Sequence, residues 1–133
     1  MSDDFVYLAS EKRTVAEWCD VLNAIEGYEA HLQDDVIWLR RSEEELCWWY
    51  HMDIAQSQTL EEEDFKTIKH LKVEQLFFIR NRFSAQQFAK FMKPVLKKFG
   101  GYLGNDWDGF KPYVQYENSD EFEYHEGRAQ TSD

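Results

Sequence analysis

Acid–base catalysis needs two titratable groups in one pocket, and the residues that come nearest are His51 and Asp53. They stand two apart in the alternating stretch Leu46 to Ile54, where a strand would aim both to the same side. His31, His70 and His125 read as surface or half-buried residues. Cys19 falls in a helical stretch and Cys47 in a strand-like one, which is no disulfide framework. Both are expected as buried thiols in a reducing cytosol. No HExxH, CxxC, GxSxG or GxxxxGK[ST] run occurs. No catalytic residue is expected, and an enzyme or small-ligand pocket built around His51 and Asp53 is the minor reading.

Gly104-Asn105-Asp106-Trp107-Asp108-Gly109 looks like part of a calcium loop. With Gly109 at the sixth position, the first falls on Gly104, which has no side-chain ligand. The twelfth falls on Gln115 instead of glutamate. The run therefore reads as a turn, because Asn, Asp and Gly tolerate unusual backbone angles. Trp107 between Asp106 and Asp108 also makes it a candidate contact loop, since tryptophan is common at binding hot spots. No metal and no cofactor are expected.

The chain has 133 residues and a formal net charge of −11. That charge repels nucleic acid and anionic lipid and would speed encounter with a basic protein. It would equally serve solubility. With 43 % hydrophobic and 17 % aromatic residues, the chain holds enough apolar material for one core. Met1 to Phe5 show no basic segment followed by an apolar run, so no signal peptide is expected. No apolar stretch has the length of a membrane span. The expected location is the cytoplasm.

The elements that would position these residues follow from periodicity. Phe5 to Ala9 reads as a strand. Thr14 and Glu17 form a capping box ahead of Trp18, Val21, Leu22 and Ile25, with Gly27 as the stop. Tyr28 to Leu32 and Val36 to Arg41 form a hairpin around Gln33-Asp34-Asp35. In Leu46 to Ile54, the set Leu46, Trp48, Tyr50, Met52 and Ile54 is expected to face the core. Cys47, Trp49, His51 and Asp53 are expected on a mixed face. Thr59 and Glu62 suggest another capping box before a short helix through Phe65, Ile68 and Leu71. Val73 to Phe83, apolar on both faces, suits a central strand. Ser84 and Gln87 open a helix with Phe88, Phe91, Met92, Val95 and Phe99 on one face. Lys90, Lys93 and Lys97, with Lys98 beside them, are its solvated side, and Pro94 should bend the helix without breaking it. Tyr102 to Gly104 and Lys111 to Tyr116 suggest a last pair of strands.

The prediction is one α+β domain over residues 1–124, with a polar tail at 125–133. It contains an antiparallel sheet of about five to six strands, with about two to three helices packed mainly on one face.

The strand Val73 to Phe83, then Ser84-Ala85-Gln86-Gln87-Phe88, then a helix ending Lys98-Phe99-Gly100-Gly101-Tyr102-Leu103-Gly104-Asn105-Asp106, resembles the C-terminal half of several small bacterial immunity proteins. These belong to the class paired with polymorphic, contact-dependent or type VI secreted toxins. The resemblance implies a cytoplasmic inhibitor that binds one cognate toxin domain, nucleases among the expected targets, by occluding it. Its partner would be a basic protein, with no direct contact to nucleic acid or membrane. Candidate contacts are Trp49, Asp53, Glu43, Glu44, Glu61, Glu62, Asp106, Trp107 and Asp108. The alternative is an acidic regulatory or adaptor module, homo-oligomeric through an exposed strand edge.

Overall fold

The computed structural model describes residues 5–41, 46–56, 60–106 and 108–122. The expected tail at 125–133 lies outside them, as do Glu43, Glu44, Thr59 and Trp107.

The first strand, β1, is Phe5–Ala9. Helix α1, Val15–Asn23, starts as its sequence dictates: Thr14 Oγ1 accepts the Glu17 N–H at 3.0 Å and Glu17 Oε1 accepts the Thr14 N–H at 2.9 Å. It ends at Asn23, short of Gly27. Gly27, at φ 91°, instead turns the chain toward the next strand. Strands β2 (Glu29–Gln33) and β3 (Val36–Arg40) form the expected hairpin. Its two-residue turn places Asp34 and Asp35 at φ 54° and 62°, the left-handed pair of a type I′ turn. Strand β4 is Leu46–Met52, and Ile54 falls in a short 3₁₀ turn beyond it.

Helix α2 spans Glu62–Leu71. Its opening is closed by Asp64 Oδ2, which accepts the Glu61 N–H at 3.0 Å, so the acidic run caps itself two residues later than the Thr59 pattern suggests. Strand β5 is Gln75–Asn81, and helix α3 is Ala85–Phe99, begun by Ser84 Oγ accepting the Gln87 N–H. The helix continues through Pro94. Strand β6, Tyr102–Asn105, is the last. The second strand expected at Lys111 to Tyr116 reduces to one bridge between Leu103 and Val114. Pro112 has no N–H to add to a ladder, and its carbonyl is taken by Asn105 Nδ2 at 2.9 Å.

The six strands form one antiparallel sheet in the order β2-β3-β4-β5-β1-β6. β5 and β1 are interior and buried on both faces, as their continuous apolar runs require. Helices α1 and α3 cover one face, and Trp18, Leu22, Phe88, Phe91, Met92 and Val95 pack there on Tyr7, Trp49 and Phe77. α2 packs on the other face, where Ile68 meets Val6, Leu8, Leu76 and Phe78.

The two faces of β4 are the reverse of the sequence expectation. Cys47 and Trp49 are 0 % exposed, whereas Leu46, Trp48, Tyr50 and Met52 are half-buried. The face carrying Cys47 and Trp49 receives the α1–α3 layer, and the opposite face is only partly covered by α2. Trp49 is therefore core, between Tyr7, Phe77 and Phe91, and is withdrawn from the candidate contacts.

Candidate functional site

The acidic candidates divide into two groups. Asp64 is buried, and its Oδ1 accepts the Gly109 N–H at 2.8 Å while Oδ2 holds Glu61. Gly109 sits at φ 67° against α2, where an added Cβ would stand 3.0 Å from Thr67 Oγ1. One carboxylate thus clamps the start of α2 to the turn Asp108–Phe110. Glu61, Glu62 and Glu63 are exposed beside it, and Asp106 is half-buried just before the turn. Lys66 approaches Glu63 at 3.3 Å and Glu62 at 3.8 Å, exposed pairs that contribute little. The Asp108 side chain is not among the described parts of the structure.

Asp53 lies elsewhere. It follows Met52, which pairs with Leu76, whereas Asp106 follows Asn105, which pairs with Phe5 and through it aligns with Ile79. Five residues along the strands and three strands across separate the two by roughly 20 Å. Asp53 accepts the Ala55 N–H at 3.0 Å and borders a different feature, the cleft around His51.

That cleft is organised by Gln75, which is 4 % exposed. Its Oε1 accepts the Arg13 N–H at 2.9 Å and the Trp18 indole N–H at 2.8 Å. Its Nε2 donates to the Arg13 carbonyl at 2.6 Å and approaches His51 Nε2 at 3.2 Å. An amide nitrogen only donates, so His51 Nε2 accepts and the neutral ring carries its proton on Nδ1. Two adjoining hollows of about 400 and 360 Å³ flank the ring, sharing Lys12, His51 and Gln75. The Thr14 hydroxyl on their border is already spent on the α1 cap. The thiol of Cys19, under α1, is pushed up by burial, which disfavours the nucleophilic thiolate.

Burial also pushes the His51 imidazole below its ordinary range; Asp53 opposes this and Lys12 assists it. The folded state prefers the neutral ring. That preference contributes stability above the imidazole's ordinary pKa and is lost as pH falls through the lower folded value. Urea unfolding followed from about pH 7 to about pH 5 should show stability declining with acid, less steeply in a His51→Ala protein. Equal slopes in the two proteins would assign the loss to other groups.

The third surface was not expected from the sequence. On the face away from α1 and α3, His31 pairs across with Trp38, Trp38 with Trp48, and Trp48 with Arg80. The His31 ring stacks on Trp38 at 6.2 Å, and Trp38 meets Trp48 edge-on at 5.7 Å. The α2 cluster ends at Tyr50 and Phe78, leaving Trp38, Trp48, Val36 and Leu46 half-exposed. Trp48, which the alternation of Leu46 to Ile54 places on the core face, is thus half-exposed instead. The available signal was Arg80, which shares Trp48's side of the sheet and interrupts an apolar strand.

The lysine side of α3 is engaged in part. Lys93 pairs with Asp120 at 2.8 Å and Lys97 lies over the Tyr116 ring. Lys90 and Lys98 rim a groove of about 460 Å³ floored by Val21, Ile25 and Tyr28. Among the described residues no helix is long and apolar enough to cross a membrane. No family model, curated protein or solved structure matches the chain.

Proposed function

We propose that this protein is a cytoplasmic immunity protein that binds a cognate bacterial toxin domain, such as a nuclease, and neutralises it by occlusion without catalysis. The observation that carries this reading is the acidic corner, where Asp64 pins the carboxylates at the start of α2 to the contact loop. Asp64 fixes the backbone that carries these exposed carboxylates, which outnumber the one lysine beside them, so part of the ordering cost of meeting a basic cleft is met before binding. The net charge of −11 adds steering toward a cationic partner. The resemblance of residues Val73 to Asp106 to immunity proteins supplies the toxin as that partner.

The test is co-expression with the product of the adjacent gene. That product is expected to arrest growth alone and to be harmless together with this chain. Glu61→Lys with Glu62→Lys is expected to slow association about tenfold at low salt and to flatten its salt dependence. Rescue with an unchanged association rate would remove the acidic corner from the interface. No toxicity of the neighbour would remove the toxin reading.

A second reading, a homo-oligomeric adaptor, draws on β2. It is an edge strand, and Leu32 on it is 40 % exposed. Concentration-dependent dimer formation on a sizing column, abolished by a proline in place of Leu32, would favour it.

A further inference from the structure

We propose that the open half of the sheet, the row His31, Trp38, Trp48 and Arg80 with Arg82 beside it, docks an acidic protein segment that presents carboxylates next to apolar side chains. Two half-exposed tryptophans in mutual contact, bordered by arginine, have the composition of an interface centre. The indoles supply rigid apolar area, and the guanidinium groups select what lies on it.

Charge decides the partner. Arg40, on the same side of the sheet, is matched by Glu29 at 3.0 Å. Arg80 and Arg82, both half-buried, are not so matched: neither forms an ion pair with a carboxylate among the described residues. A wholly apolar partner would leave both guanidinium groups unmet. A basic partner would be repelled by them. A carboxylate would meet them beside the Trp48 ring, where partial exclusion of water strengthens a charge-assisted bond. Nucleic acid also offers anions and stackable rings, but it must approach a chain of net charge −11, whose long-range field opposes it. A peptide carrying only a few carboxylates meets far less of that opposition. This surface is distinct from the acidic corner and has the opposite local sign, so the two proposals fail separately.

The experiment uses the full chain and a short fluorescein-labelled peptide, Asp-Phe-Glu-Leu repeated, followed by fluorescence anisotropy and intrinsic tryptophan emission. Its Asn/Gln counterpart and oligothymidylate serve as competing probes. The acidic peptide is expected to bind in the micromolar to submillimolar range and to perturb tryptophan emission. Arg80→Gln and Trp38→Ser should each weaken it about tenfold, and Lys90→Gln, on the α3 side, should leave it unchanged. Thermal melts show whether each variant is folded, and Arg80→Gln stands as the deciding variant if Trp38→Ser is not. The proposal is overturned if the acidic peptide does not bind, if the amide counterpart binds equally, or if folded Arg80→Gln binds like the parent. Tighter binding of oligothymidylate would make this a nucleic-acid face. Self-association abolished by Trp38→Ser would make the occupant a second copy. Either result also overturns the proposal.

Discussion

Trp49→Ala is expected to lower the unfolding free energy by about 3–5 kcal/mol, the largest loss of any single truncation on β4. Trp49 is 0 % exposed and lies against Tyr7, Phe77 and Phe91 at ring-centroid distances of 5.5, 5.5 and 6.2 Å. Its indole N–H has no acceptor among the described residues, and an unmet buried donor carries a standing penalty of about 1–3 kcal/mol. Removing the ring relieves that penalty, which pulls the net loss toward the lower end. Trp49→Phe should therefore cost much less, about 1 kcal/mol, since it keeps most of the packing and deletes the orphan donor. Trp38→Ala, on the half-exposed face, should also cost about 1 kcal/mol. Urea denaturation followed by far-ultraviolet circular dichroism measures all three. If Trp38→Ala proved more damaging than Trp49→Ala, the two faces of the sheet would have to be exchanged.

Gln75→Leu is expected to cost about 3–5 kcal/mol, by a different mechanism. Leucine fills similar space but strands the Arg13 N–H, the Arg13 carbonyl and the Trp18 indole N–H, each now satisfied by the one amide. Arg13 is a junction, its guanidinium lying 5.3 Å from the ring centres of both Trp18 and Phe99. Losing its backbone anchor loosens the segment between β1 and α1. Gln75→Glu should lose less than Gln75→Leu. It still accepts from Arg13 and Trp18, but it sets a carboxylate oxygen against the Arg13 carbonyl and cannot donate to His51. The comparison is best made by denaturation at neutral pH. Equal losses in the two variants would show that the accepted bonds contribute nothing.

The local elements were largely legible in the chain. The Thr14–Glu17 box, the Ser84 cap, the Asp34-Asp35 turn and the apolar run of β5 each act within a few residues, and each is found where its chemistry places it. The same holds for the alternation of β4, because a strand's period of two separates Trp48 from Trp49 whatever the fold. Elements that depend on distant partners fared less well. Gly27 had the chemistry of a helix stop, yet α1 ends earlier, and Lys111 to Tyr116 had the look of a strand but pairs with β6 only at the bridge between Leu103 and Val114.

By itself, then, the sequence determined the helices, the turns, the strand period and the excess negative charge, since capping, backbone sterics and formal charge are properties of neighbouring residues. Only the tertiary structure decided which face of β4 is core. Both faces are rich in large apolar groups, and the choice rests on where α1 and α3 dock. The tertiary structure also made Asp64 a clamp between α2 and Gly109, set Asp53 apart from Asp106, and aligned His31, Trp38, Trp48 and Arg80 in one row. Those relations depend on strand order and register across residues far apart in the chain, which no local pattern encodes.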